Sequence, residues 1–534
     1  MGQGDAVTLR AGSGQAVVSR RAVLAAAVAA PLAGCMGRPE IPGGFSGISH
    51  ERGHLLRNQS RLAQPSATRR TRVLIAGGGV AGLAAARALR LRGSHDFVLL
   101  ELEDSAGGNS RGGKVGGIAC PLGAHYLPVP GDDAPQVQNL LEELGLRRRI
   151  SGRWTYDERH LCHSPQERLY FNGRWQDGLL PLQDVGAETL AQYRRFSQHV
   201  ESARRAARYT VPLADAVAAP SQLRLDAISF EAWLQREQLT DAHLRWYLDY
   251  CCRDDYGAGI AAVSAWAGIH YFASRHGFHL PGDGQERDAV LTWPQGNGWL
   301  SERMAWPLGE RLRTGRVVTR VASMRHGVEV DVLNVARGVP ERWQAEHCIV
   351  ALPVFVAARV VENPPSLLQQ AAARIRLSPW LVANLHLREP LNDRHGPAPA
   401  WDNVVYGAKG LGYVNARHQS LDPTPGATVL SWYRPLGDDR QGRRKLLEQP
   451  WTAWRDEMLV ELSAPHPDIA HKATRIELTR YGHAMAVPLP GTLKAWQGRS
   501  VLRSDRLTFA HCDWAGYSVF EEAMAAGHHA ASRL

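Results

Sequence analysis

Two apolar periods alternate early in the chain. Arg72-Val73-Leu74-Ile75-Ala76 is a short, nearly unbroken apolar run, the pattern of a strand buried on both faces. Gly77-Gly78-Gly79-Val80-Ala81-Gly82 interrupts it. Leu83-Ala84-Ala85-Ala86-Arg87-Ala88-Leu89 follows, rich in strong helix formers, and Gly93 ends that helix. Phe97-Val98-Leu99-Leu100 is a second buried strand with Glu101 at its end. Farther on, 301–313 has a helical pattern, and 316–321 and 328–332 alternate like a strand pair. Cys348-Ile349-Val350-Ala351-Leu352 is another buried strand, ended by Pro353. Segments 231–238, 242–251 and 261–274 read as helices, and 380–387 and 427–432 as strands. Strands interleaved with helices predict an α/β fold.

A length of 534 residues exceeds one simple core, so two domains, or a discontinuous pair, are expected. Hydrophobic content of 44% and charged content of 21% exclude disorder over most of the length. The net charge is +10. Its densest clusters are Arg147, Arg148 and Arg149, and Arg204, Arg205 and Arg208, all among acids and apolar residues at helical spacing. They read as solvated helix faces, so no nucleic-acid partner is expected, although a basic surface suits anionic lipid. Sixteen tryptophans leave room for some to line a large apolar pocket.

Ser19-Arg20-Arg21 precedes an alanine-rich apolar stretch, 22–34, that ends on Leu32-Ala33-Gly34-Cys35. A twin arginine before a moderately apolar segment is the pattern of a twin-arginine export signal. The Leu-Ala-Gly-Cys box resembles the bacterial lipoprotein processing site, where the cysteine becomes the lipidated first residue. The stretch is short of the roughly 20 residues a spanning helix needs. Residues 1–35 are therefore expected to be a signal, with lipidation at Cys35 and a periplasmic or cell-surface, membrane-anchored product. Residues 36–70, rich in Gly, Pro, Ser and Arg, read as a flexible tether reaching on the order of 100 Å. The twin-arginine route carries folded proteins, so a cofactor captured beforehand travels with the chain. The other six cysteines have no CxxC pair, and Cys251 and Cys252 are adjacent; free, buried thiols are expected.

Strand, Gly77-x-Gly79-x-x-Gly82 and helix together form a dinucleotide-binding unit. Gly77 permits the sharp turn, Gly79 lets backbone approach a pyrophosphate, and Gly82 lets the helix pack on the sheet. The helix start, at Val80 and Ala81, offers free N–H groups and the positive end of the dipole. Glu101 stands about 20 residues on, where a ribose hydroxyl needs an acceptor.

NAD and FAD share this unit, and the following residues distinguish them by resemblance. Glu101-Leu102-Glu103-Asp104-Ser105-Ala106-Gly107-Gly108 resembles the segment after the second strand in the flavin-containing amine oxidase superfamily. Asn109 stands where that family usually has Arg, with Arg111 two residues on. Pro121-Leu122-Gly123-Ala124-His125-Tyr126 resembles the Gly-Ala segment beneath the flavin ring. The stretch 293–353 resembles the family's return to the FAD domain, which implies that Val318 holds the adenine through its backbone. Phe509-Ala510-His511-Cys512-Asp513-Trp514-Ala515-Gly516-Tyr517 resembles the closing segment. There the resemblance implies that Asp513 contacts the flavin and Tyr517 forms one wall of an aromatic substrate cage. Two features depart from the pattern: His511-Cys512 replaces a glycine, and two extra residues follow Tyr517.

The resemblance implies a Rossmann-type, discontinuous FAD-binding domain (71–150, 286–359 and 496–534). It implies an α+β substrate domain (151–285 and 360–495), with a sheet covered by helices on one side. It also implies noncovalent FAD, because no cysteine sits where monoamine oxidases attach theirs. The implied chemistry is hydride transfer from an amine to flavin N5, with oxygen or another redox acceptor taking the electrons. Family members keep a lysine, bonded through water to N5, that assists reaction with oxygen, and none maps here. A desaturase- or protoporphyrinogen-oxidase-like enzyme acting on an apolar substrate, or a flavin-binding protein without turnover, stays open. His125, His483, His511, His528 and His529 lack paired ligand spacing, so no metal is expected.

Overall fold

The computed structural model describes residues 40–57, 64–213, 217–275, 277–280, 289–422, 424–496 and 503–534. Residues 1–35, where a signal is expected, lie outside the described residues, Cys35 among them. From Ile41 onward the chain packs as one unit.

Ala67–Ala76 is the central strand of the first sheet. Its last residues, Leu74, Ile75 and Ala76, have no exposed surface. It pairs in parallel with Phe97–Leu100 on one side and with Val339–Val350 on the other. Parallel strands covered on both faces must be apolar throughout, which explains the unbroken run at 73–76. Gly327–Asn334 and Arg316–Met324 extend the sheet as antiparallel neighbours, and Leu507–Phe509 adds a short parallel strand beside Cys348–Val350. Helix Val80–Leu91 starts at Gly79 and packs against the last helix, Phe520–Ser532. Small residues on both helices, Ala81, Ala84, Ala523 and Gly527 among them, permit that close approach. This is the Rossmann-type arrangement.

The second sheet has eight strands, of which Leu377–Leu387, Thr428–Pro435 and Ala473–Ala486 are the long antiparallel centre. It is apolar on both sides. Leu381, Ala383 and Leu385 share a core with Trp454, Met458 and Leu462 of helix Trp451–Ser463. Trp380 and Val382, pointing the other way, share a core with helices Ala187–Ala206, Phe230–Arg236, Ala242–Tyr256 and Ala265–Ala273. The expectation of helices on one side only is thus corrected. A strand buried on both faces has no alternation from which a bare face could be read.

Three further expectations change. The tether expected over 36–70 is ordered at 41–57 and 64–70: Gly43–Phe45 pairs in parallel with Ile476–Leu478, a short helix spans His50–His54, and a strand begins at Ala67. A three-residue edge strand is too short to leave a period in the sequence. Arg147, Arg148 and Arg149 lie on a strand, Arg147–Ile150, rather than a helix. There Arg147 is buried over the Trp154 ring at 3.8 Å and pairs with Glu142. Arg204 and Arg205 do lie exposed on a helix. The stretch 301–313 divides into helix Gly298–Ala305 and a 3-10 turn, Trp306–Arg311. All six described cysteines are free, and four of them are buried.

Candidate active site

At the end of the central strand the chain turns through Gly77, whose φ is +106°. A side chain there would collide with the Ala351 carbonyl. One at Gly82 would collide with the Gly77 carbonyl, so both glycines close the turn on itself. Gly79 differs. Its backbone is ordinary extended chain at φ −68°, and a Cβ there would meet nothing nearer than the Gly108 Cα at 3.9 Å. Gly79 thus leaves space free at the start of a helix. Gly107 bridges to it, donating its N–H to the Gly78 carbonyl at 2.8 Å.

Glu101 is buried behind this turn. One carboxylate oxygen accepts the Gly78 N–H and the other the Glu103 N–H, each at 2.8 Å. Burial pushes its pKa above the usual carboxylate range. Each oxygen has a second lone pair, so a ribose hydroxyl still finds an acceptor.

The turn opens into a cavity of about 890 Å³. Gly77, Gly79, Val80, Ala81, Glu101, Gly107, Gly108, Asn109, Gly123, Ala124 and Val318 all line it. The volume, the helix start beside Gly79 and the bare surface there suit an elongated cofactor with a diphosphate. Asn109 donates to the Ala484 carbonyl at 2.6 Å. Arg111 points away, to the Gly47 carbonyl and Ser105, which leaves Asn109 as the lining side chain. Gly123 and Ala124 are positioned by aromatic hydroxyls: Tyr433 donates to the Gly123 carbonyl at 3.0 Å and Tyr481 to that of Leu122 at 2.8 Å.

Three expected residues do not line the cavity: Gly82, which packs the helix on the turn, Asp513 and Tyr517. Asp513 is 3% exposed; it accepts the Val354 N–H at 3.0 Å, capping helix Val354–Val360, and faces His511 at 3.3 Å. His511 and Cys512 line the wall in its place. Burial opposes charge on His511, but the Asp513 carboxylate holds its imidazole above the ordinary value. Donor atoms of His511, Cys512 and Asp513 lie within 4.8 Å of one another, a grouping that paired-spacing rules overlook because the three are consecutive. Each is already engaged internally: Asp513 by Val354, and the His511 ring by the Asp513 amide and the Cys512 sulfur.

Tyr517 is 1% exposed and lies behind the wall. Its hydroxyl donates to Asp255 at 2.7 Å and accepts from Arg275 at 3.0 Å. The Arg275 guanidinium also reaches Asp255 at 3.0 Å and the Tyr271 carbonyl at 2.8 Å. Val519, Phe520 and Glu521 face the cavity instead. The turn Cys512–Ala515, with Gly516 at φ +69°, precedes Tyr517, and the extra residues fall between Tyr517 and the helix that starts at Phe520.

Where aromatic rings and acids meet in the cavity, the sequence pointed to the segment carrying His125 and Tyr126 but missed Trp380, Tyr433 and the acids. Tyr126, His125, Trp380, Tyr433 and Tyr481 line the cavity with Asp254, Asp255 and Glu521. Burial, reinforced by neighbouring Asp255, pushes Asp254 up to about 7; burial does the same for Glu521. Desolvation pushes His125 down to about 3 and, with Arg443 beside it, His483 down to about 4, so both rings are neutral at pH 7. These acids sit on helices far apart in sequence, with no local spacing to signal them.

The family model for flavin containing amine oxidoreductases matches residues 80–534, and the chain belongs to that family. Its cofactor is FAD. The flavin-containing amine oxidase B of Bos taurus is 25% identical over 350 residues, 62% of this chain and 59% of that protein. The Homo sapiens protein of the same name is 24% identical over 330 residues, 60% of this chain and 57% of its own length. The match thus spans less than two thirds of these curated relatives. A putrescine oxidase bound to putrescine superposes with a TM-score of 0.66 at 18% identity, over 87% of this chain and 99% of that one. Cyclohexylamine oxidase from Brevibacterium oxydans gives 0.63 at 18% identity, over 87% and 98%. At such identity these likenesses establish the shared fold.

Proposed function

We infer that the chain is an FAD-dependent oxidoreductase that oxidises an amine. The observation that carries this reading is one cavity joining a diphosphate-binding glycine turn to a wall of aromatic rings and buried carboxyls. FAD supplies the hydride acceptor for the amine C–H bond. Tyr126, Trp380 and Tyr433 offer ring faces to an alkylammonium group, and Asp254 and Glu521 offer negative charge. The neutral His125 ring lies against Tyr433, with centroids 4.4 Å apart, and adds no competing positive charge.

The decisive experiment is anaerobic mixing of the purified holoprotein with a panel of diamines, polyamines and aromatic amines. Bleaching of the flavin by at least one amine is expected. If none bleaches it while a chemical reductant does, amine oxidation is wrong, and a flavin-binding role without amine turnover takes its place.

A pH effect follows from Asp254. A cation pairs with its ionised form, so affinity is lost as pH falls below about 7 and levels off above it. Binding of an unreactive quaternary ammonium, followed by the flavin spectrum, is expected to weaken roughly tenfold per pH unit below that value. Asp254→Asn is expected to flatten the profile; an unchanged slope would exclude Asp254 as the cation's partner.

No lysine lines the cavity among the described residues. The acceptor that reoxidises the flavin, oxygen or another redox acceptor, is read from whether peroxide accompanies turnover. Export by the twin-arginine route and lipidation of Cys35 complete the reading. Only five residues separate Cys35 from Ile41, a reach of at most about 20 Å, so an anchored enzyme would work close to the membrane.

A further inference from the structure

The segment from Ile41 to Arg57 precedes the 80–534 span matched by the family model. Its ends are fixed in different cores. Ile41, 4% exposed, belongs to the core beneath helix Trp451–Ser463 of the second sheet, and Leu56, 7% exposed, to a core of the first sheet. Between them the contacts are specific. Ser46 N–H donates to the Leu478 carbonyl at 2.8 Å, extending the pairing of Gly43–Phe45. The Gly47 carbonyl accepts from Arg111 at 3.0 Å, and Ser49 N–H donates to Glu103 at 3.0 Å. Arg52 forks onto both oxygens of Asp104 at 2.8 and 3.1 Å and reaches the Leu102 carbonyl at 3.2 Å. The segment is thus fastened to the loop that follows Glu101.

Ile48, Ser49, His50, Gly53, His54 and Arg57 face the same cavity as Gly77–Ala81 and Gly107–Asn109. The crossing is also where cations gather. Arg443 and Arg480 line the cavity with His50, His54 and Arg57. Burial, then Arg57 and His50, lower the His54 pKa. Arg57, Arg443 and Arg480 are the fixed cations at this wall and favour an anion, and the diphosphate of the cofactor is the anion this cavity is built to hold.

We propose that residues 41–57 form a clasp over FAD, in which His54 and Arg57 are cofactor-site residues and release of the cofactor requires the segment to lift. The proposal rests on the assignment of FAD to this cavity. It gives a physical means of keeping a cofactor that is loaded before export.

The test uses the full holoprotein and measures the rate at which bound FAD passes to an excess of an apo-flavoprotein scavenger. Arg52→Ala removes the fork to Asp104 without touching the cavity lining and is expected to speed release roughly fivefold. Adding Ile41→Ala, which frees the other end, is expected to bring the increase to about fiftyfold or more. Arg52→Lys should recover part of the loss, and circular dichroism should show the fold retained. Limited proteolysis should cut the segment faster after FAD is stripped. Release rates equal to wild type in both variants, with the fold intact, would overturn the clasp. A wild-type protein that takes up no FAD would instead overturn the cofactor assignment beneath it.

Discussion

A valine at position 79 is expected to give a folded chain that has lost its hold on FAD. Gly79 lies in ordinary extended backbone, and a Cβ there meets only Gly108, at normal contact distance. Gly79→Val should therefore change stability by less than about 1 kcal/mol. The added methyls would occupy the approach to the first N–H groups of helix Val80–Leu91. Losing two charge-assisted hydrogen bonds from those groups costs about 3–5 kcal/mol, a Kd weaker by roughly a hundredfold to several thousandfold. Titration of the apoprotein with FAD, together with a denaturant melt, reads both numbers. Gly82→Val provides the contrast, because its side chain would strike the Gly77 carbonyl and destabilise the fold itself. Wild-type affinity in the Gly79 variant would show that the diphosphate is gripped elsewhere.

The largest loss of stability is expected from Asp255→Ala. Asp255 is 5% exposed and carries the Arg275 guanidinium and the Tyr517 hydroxyl at once. Removing it leaves a buried cation with only the Tyr271 carbonyl and the tyrosine. Breaking a buried pair from one side costs about 3–5 kcal/mol. Rotation of Arg275 toward Asp254 would hold the loss near the lower figure. Tyr517→Phe removes two hydrogen bonds, one to Asp255 and one from Arg275, and is expected to cost about 1–3 kcal/mol. It should leave turnover of the flavin-loaded enzyme nearly unchanged, the opposite of what a cage wall would do. Urea unfolding of the three proteins, with steady-state rates for wild type and Tyr517→Phe, separates these outcomes. A Tyr517→Phe enzyme that keeps its FAD but loses most of its rate would restore the tyrosine to the cage.

What the sequence made legible is whatever is contiguous. The turn at Gly77–Gly82, the acid at Glu101, the pair Gly107-Gly108 and the segment Gly123-Ala124 each lie within a few residues, and all but Gly82, which packs the helix instead, reach the cavity. The closing segment was legible in kind but not in register. Its two extra residues fall between Tyr517 and the helix start at Phe520, so that Tyr517 lies behind the wall while Val519 and Phe520 line the cavity. The acidic wall was not legible. Asp254 comes from helix Ala242–Tyr256 and Glu521 from the last helix, and only tertiary packing brings them to one cavity. The N-terminal segment was misread because its order comes from partners more than 50 residues away, as in the pairing of Gly43 with Ile476.

Flavin content tests the central claim most directly. The natively folded protein, purified and then reconstituted with FAD, is expected to carry one flavin per chain and to release it intact on acid precipitation. A folded protein that stays colourless after reconstitution would contradict the account.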